Sequence, residues 1–303
     1  MHMAICQEDT LHLNRALGSW VWDVAYYAAD PTELLQFCEE NRITELYLAI
    51  VDAVPDMHYV NLIRQLHEIR VQVAALCGDA QWIYPERRVT YDTFIRRVDA
   101  IQQLCGKGPR FYGLHLDANP HTLPEARENN MKDQVEPYIS LIQDARRKAD
   151  TRRLKLEWDM PSWFHILDDP THKCSLAKTV FSLCDSVNVL TFRDRAEDQF
   201  NALLPNLEFA KELKKPLRIC FETLSMDESR RKDGNSVVTY YEEGRRFMYQ
   251  SLYQLQAMTK ERYKKFGFAI HDIKRWAQMQ QEPLPQYADG VPAMEEEALR
   301  AVI

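Results

Sequence analysis

The sequence predicts a single (β/α)8 barrel, an α/β fold in which eight parallel strands are ringed by helices. Three observations predict it. Short β-like runs alternate with longer helix-like runs eight times between about residues 18 and 280. On the four strands where alternation is clean, apolar side chains take one face and ionisable ones the other. No GxGxxG or GxxxxGK[ST] loop follows the first strand, so an open, doubly wound sheet lacks its usual phosphate cradle.

The elements follow in order. The first strand is expected at Gly18–Asp23, then a helix with Thr32 as N-cap and Leu34, Leu35 and Cys38 on its apolar face. Strand 2 is Glu45–Val51 and the next helix Met57–Ile69, with Leu62, Ile63, Leu66 and Ile69 at helical spacing. Strand 3 is Val71–Cys77, and a loop with Trp82 and Pro85 leads to a helix at Tyr91–Leu104. Strand 4 is Phe111–Asp117, stopped by Asn119-Pro120, and its helix runs from about Val135 to Lys148. Strand 5 is Leu154–Asp159, stopped by Pro161; a loop with Trp163, Phe164, His165 and His172 precedes a helix at Ser175–Cys184. Strand 6 is Val187–Phe192, followed by a helix at Ala196–Leu213. Strand 7 is Leu217–Glu222, followed by a charged loop at Asp227–Asp233 and a helix at Tyr240–Tyr263. Strand 8 is Phe266–His271, and a short helix contains Trp276. Alternation of this kind calls for right-handed crossovers in one parallel sheet. One domain, 1–303, is expected, with the barrel at about 18–280 and a peripheral extension at 283–303.

Composition narrows the classes of function. The chain has 303 residues, 46% hydrophobic and 27% charged, a globular balance. The net charge of −7 and the lack of a basic stripe argue against nucleic acid, whose binding needs Lys and Arg against phosphates. The densest basic cluster, Arg146, Arg147, Lys148, Arg152 and Arg153, sits around one helix end, where cations complement the helix dipole. No stretch approaches the roughly 18 apolar residues of a membrane span. No signal peptide is visible, which suits a cytoplasmic protein, although a leader trimmed before Met1 is compatible with the sequence. The seven cysteines show no CxxC spacing and read as buried thiols. No cofactor is expected, and oligomeric state is open.

Parity points to the site. On strand 4, Tyr112, Leu114 and Leu116 face the helices, so Gly113, His115 and Asp117 point inward. On strand 5, Leu154, Leu156 and Trp158 face out, leaving Lys155, Glu157 and Asp159 inside. Strand 7 points Arg218, Cys220 and Glu222 inward, and strand 8 points Gly267, Ala269 and His271 inward. Strands 1 and 6 resist the assignment. Charges inside a barrel need partners, so a structural network, with Lys155 and Arg218 neutralising Glu157 and a neighbour, is one reading of the deeper residues. The strand-end residues Asp117, Asp159, Glu222 and His271 sit where barrel enzymes hold catalytic groups.

Paired carboxylates at strand ends suit glycoside hydrolysis, in which one donates a proton and the other acts as nucleophile or base. Glu222 is the candidate nucleophile or base; Asp117, Glu157 and Asp159 compete as the acid. Trp20, Trp22, Trp82 and Trp163 lie at or after strand ends and suit a small-molecule or oligosaccharide ligand, whose CH faces pack on rings. A metal-dependent hydrolase is the rival: His115-x-Asp117 and His271-Asp272 offer ligand types, but HxH on strand 1 and HExxH are absent, so no metal set is assigned. No GxSxG elbow supports a serine nucleophile.

Several segments together resemble an uncharacterised bacterial family of TIM-barrel proteins described as glycoside-hydrolase-like. They are WVWD (Trp20 to Asp23), ELLQFCEENRITELYL (Glu33 to Leu48), LCGDAQWIYPE (Leu76 to Glu86), FYGLHLDANPH (Phe111 to His121), DMPSWF (Asp159 to Phe164), FRD (Phe192 to Asp194), TYYEEG (Thr239 to Gly244) and GFAIHD (Gly267 to Asp272). The resemblance implies a barrel with a carbohydrate site at its strand ends. Asp23, His115, Asn119, Arg193, Asp194, Tyr241, His271 and Asp272 join the tryptophans as candidate substrate-binding residues. One departure matters: the family pattern after strand 4 resembles GIHLDxEPY, and Asn119 stands where that pattern has Glu. Asn cannot deliver a proton, so a carbohydrate-binding barrel with impaired catalysis is the alternative to an enzyme.

Overall fold

The computed structural model describes residues 11, 13–128, 131–225 and 238–284. The loop at 227–233 and nearly all of the extension at 283–303 lie outside the described residues. The barrel strands are β1 (Leu17–Val21), β2 (Glu45–Ala49), β3 (Gln72–Cys77), β4 (Gly113–Leu116), β5 (Lys155–Pro161), β6 (Ser186–Leu190), β7 (Leu217–Glu222) and β8 (Phe266–His271). All eight pair in parallel with their sequence neighbours, and β8 closes on β1. The helices, in chain order, are α1 (Val24–Ala28), α2 (Thr32–Glu40), α3 (Asp56–Glu68), α4 (Val89–Cys105), α5 (Pro124–Glu128), α6 (Val135–Arg152), α7 (Leu176–Leu183), α8 (Ala196–Leu213), α9 (Gly244–Lys260) and α10 (Ile273–Gln278). The strand expectations hold to within a few residues at each end. Thr32 is not an N-cap: it is the first residue of α2, and the Asp30 carboxylate accepts from its N–H and its hydroxyl.

The helices form for the reason their spacing gives. In α6, Tyr138, Ile139, Leu141, Ile142, Ala145 and Ala149 are buried, one stripe against the sheet, while its charged residues face water. The chain leaves α6 through Arg153 at φ 56° and leaves α8 through Lys214 at φ 56°, left-handed positions usually held by glycine. The basic cluster at the end of α6 pairs with Asp92, Asp99, Asp144, Asp150 and Asp185.

Register settles the strands whose parity was unreadable. Gly18 and Trp20 of β1 pair with Glu45 and Tyr47 of β2, and Trp20 and Tyr47 meet edge to face inside the barrel. Ser186 and Asn188 of β6 pair with the inward Glu157 and Asp159. Two expectations on charged and polar positions are corrected. Lys155 does not point inside: its side chain is 66% exposed and faces Asp185 at 3.6 Å. Tyr112 does not face the helices: its hydroxyl donates to Glu157 at 2.8 Å. Tyr112 precedes β4 and Lys155 is the first residue of β5, so neither is held by strand alternation on both sides. The barrel floor is instead closed by Arg218, which donates to Glu45 through Nε at 3.0 Å and through an Nη. Gly267 leaves room there, since a Cβ would lie 2.9 Å from Arg218 Cδ and 2.6 Å from the Ala16 carbonyl.

Candidate functional site

The polar interior continues upward from that floor to the C-terminal mouth. His115 on β4 is fully buried between Glu157 and Asp159 of the adjacent β5, with Nδ1 3.2 Å from Glu157 and Nε2 2.8 Å from Asp159. A neutral imidazole has one N–H, so serving both carboxyl groups calls for the imidazolium. Burial disfavours that cation, but Asp159 and Glu157 outweigh it and raise His115 to about 10. Tyr112 takes a further position on Glu157, and Trp20 donates its indole N–H to Asp159 at 2.8 Å. Tyr47 stacks on the His115 ring at 3.8 Å. Glu157 and Asp159 are therefore buried and held within the barrel, and only their parity was visible in the sequence.

The mouth itself carries three titratable groups, Asp117, Glu222 and His271. Asp117, just past β4, is half-buried. Burial and the neighbouring Asp159 push its carboxyl up to about 7, against the opposing pull of His271 and His115. Asn119 donates to Asp117 through Nδ2, and its Oδ1 is buried with no hydrogen-bond partner among the described residues. Glu222, at the end of β7, accepts the backbone N–H groups of Thr223 and Leu224 at 2.8 and 3.0 Å. His271, at the end of β8, holds its Nδ1 3.0 and 3.2 Å from the two Glu222 oxygens. Its Nε2 accepts from the Trp22 indole N–H at 2.9 Å. Burial disfavours a charged His271, yet Glu222, Asp272 and Asp117 raise it to about 9. Trp22 acts against protonation, because an indole N–H cannot face a protonated nitrogen; the geometry shown is that of the neutral ring.

The remaining candidates fall into separate places. Asp272 is buried and accepts from the Lys274 and Arg275 backbone N–H groups at the start of α10. Asp23 pairs with Lys274 and Arg275 at the rim. Trp163 is 37% exposed beside His121 and Phe164, a ring open to solvent. Trp20 and Trp82 are buried instead; Trp82 packs on Tyr91 and donates to Thr90. Arg193 is exposed, with Asp194 partly so, while Tyr241 is partly buried near Thr239. Sequence reasoning missed Tyr47, Tyr112 and the Glu45–Arg218 pair, although Glu45, Tyr47 and Ala49 alternate with the outward Leu46 and Leu48. It also missed Glu243, which burial pushes up to about 7 with help from Asp194 and Glu242. Among the described residues, no group of three or more His, Cys, Asp or Glu side chains is arranged to hold a metal ion.

Solved structures with this architecture include a GH18 chitinase from Pseudoalteromonas aurantia, at 12% identity and a TM-score of 0.53, covering 95% of this chain and all of that one. The chain shares this (β/α)8 barrel architecture. A chitinase from Bacteroides thetaiotaomicron aligns at 9% identity and a TM-score of 0.52 over 86% of this chain and 90% of that chain. The spore cortex-lytic enzyme SleL of Bacillus megaterium aligns at 12% and 0.51 over 87% and 73%. Likeness at these identities concerns the fold. No protein-family model matches the chain, and no curated protein matches it in sequence. The barrel implied by the resemblance is thus shown, and membership of the bacterial family is not. No helix among the described residues is long and apolar enough to cross a membrane.

Proposed function

We propose that the chain is a glycoside-hydrolase-like enzyme acting on a carbohydrate at the C-terminal mouth, with Asp117 as proton donor and the Glu222–His271 pair as its counterpart. The observation that carries this reading is Asp117. It is a half-buried carboxyl raised to about 7, and the carboxylate–histidine pair lies three and four strands away around the barrel, on β7 and β8. Acid catalysis needs a group that still holds its proton near neutral pH, and a partner kept in the opposite state. Asp159 and Glu157 are poorer candidates because His115, Trp20 and Tyr112 occupy them. Trp163 supplies an open ring on which a sugar face packs. The chitinase and cortex-lytic neighbours raise the prior for this chemistry by fold analogy alone.

The test is product analysis on a library of oligosaccharides that includes N-acetylglucosamine oligomers, since a neighbouring chitinase was solved with (GlcNAc)3. Shortened products are expected from the wild type. Asp117→Asn lowers kcat by roughly 100-fold or more, the usual scale of general acid catalysis, with binding retained. Wild-type kcat/KM falls as pH rises through about 7. Turnover unchanged in Asp117→Asn removes that residue from the mechanism.

Asn119 favours a second reading, a binding barrel without turnover. It stands where the resembling family has Glu, and its Oδ1 is an unused buried acceptor. Saturable binding with no product supports this reading. Activity gained in Asn119→Glu then shows a degenerate site.

A further inference from the structure

The geometry points to His271, oriented by Glu222 and covered by Trp22, as the group that exchanges a proton with a ligand in this mouth. The inference rests on the reading of the mouth as a ligand site and replaces Glu222 as the residue that meets the ligand. Glu222 is poorly placed for contact. Its side chain is 3% exposed, Oε1 already accepts from two backbone N–H groups, and both oxygens face His271 Nδ1. The His271 side chain is 20% exposed. With Nδ1 turned to Glu222, Nε2 is its one remaining nitrogen, and the Trp22 indole N–H lies against it.

That contact fixes the tautomer. Indole nitrogen only donates, so Nε2 carries the lone pair and Nδ1 carries the hydrogen, which it donates to Glu222. A histidine anchored through one nitrogen by a carboxylate, with a lone pair on the other, is built as a general base. Trp22 is half-buried just past the end of β1. When it withdraws, a ligand hydroxyl or a water takes its place. The Nε2 lone pair then takes the proton, the O–H bonding pair stays on oxygen, and the imidazolium rests against Glu222; the reverse transfer restores the neutral ring.

The groups facing His271 favour this cycle. Glu222 on β7, Asp272 on its own strand end and Asp117 from β4 all stabilise the protonated ring. The Trp20 and Phe192 rings close its other sides at 5.3 and 6.3 Å. Asp272 is shared with the α10 backbone and with Arg275 at 3.5 Å, which leaves Glu222 as the carboxylate in direct contact.

Two measurements test it without a substrate. Ring-15N histidine NMR reads the tautomer and the titration midpoint in the wild type, Trp22→Phe and Glu222→Gln. Diethyl pyrocarbonate, with peptide mass mapping, reads access to the lone pair. The expected result, read above the His271 midpoint near 9, is a neutral ring protonated on Nδ1, with the midpoint raised by Trp22→Phe and lowered by about one pH unit or more in Glu222→Gln, and acylation several-fold faster in Trp22→Phe. A neutral ring protonated on Nε2, or a His271 equally resistant to acylation in the wild type and Trp22→Phe, overturns it. If Glu222→Gln does not fold, the wild-type tautomer and the Trp22→Phe rate still decide. Failure of every sugar to bind contradicts the carbohydrate reading and leaves these measurements intact.

Discussion

Asp117→Asn separates the chemistry of the mouth from the stability of the barrel. The folded carboxyl holds its proton to about 7, against an ordinary value near 3.8. Its contribution to stability is therefore present below about 4 and lost as pH rises through 7. Asparagine removes that loss, so the variant should be more stable than wild type above pH 7, on the order of 1–3 kcal/mol by linkage, while losing turnover. Urea unfolding at pH 5 and pH 8 checks it; equal stabilities at pH 8 contradict the raised carboxyl. His115→Leu should do the reverse. It leaves Glu157 and Asp159 buried without their cation, a loss of about 3–5 kcal/mol. The His115 contribution is complete below 6.5 and fades as pH rises through about 10, so the gap between the two proteins narrows in alkali. A gap that widens instead shows His115 to be uncharged. At this scale the sequence revealed that His115, Glu157, Asp159 and Glu222 point inward, because alternation is a backbone property. It did not reveal which of them pair with one another. Pairing depends on the stagger between neighbouring strands, which places His115 directly beside Glu157.

Elements carry the site through close backbone approaches. Gly78 follows β3, and a Cβ there would lie 2.0 Å from the Asp117 carbonyl oxygen. Backbone cannot yield as a flexible side chain can. Gly78→Ala should push the end of β4 aside, costing stability by roughly 1–3 kcal/mol as overpacking does and shifting the Asp117 titration. Denaturant unfolding and carboxyl NMR check the two effects; a variant with unchanged stability and unchanged Asp117 midpoint contradicts the contact. Element ends were the least legible feature. The chain has nine glycines, and Arg42, Arg70, Arg153 and Lys214 occupy left-handed positions where glycine would have marked a helix end. The start of α2 was misplaced for a similar reason: Asp30 and Thr32 are both N-cap types, and only the backbone shows which side chain accepts.

For the molecule as a whole, the fold was readable because eight repeats of one pattern reinforce each other. Each strand needs apolar contact on its outer face, and each helix supplies a stripe for it. Function is less readable, because the same barrel hosts many chemistries and the site is a small set of side chains at one end. Asp117, Trp22 and His271, partly buried past the ends of their strands, and the exposed Trp163 ring are the groups through which the proposed site would meet a ligand. The most direct test of the account is a calorimetric titration of the full chain, wild type and Trp163→Ala, with N-acetylglucosamine oligomers and a wider oligosaccharide panel. Saturable binding of at least one oligosaccharide by the wild type is expected, weakened in Trp163→Ala by about 1–3 kcal/mol, the scale of losing one ring against a stacked partner. No heat of binding from any oligosaccharide, with the protein folded throughout, contradicts a carbohydrate site at this mouth.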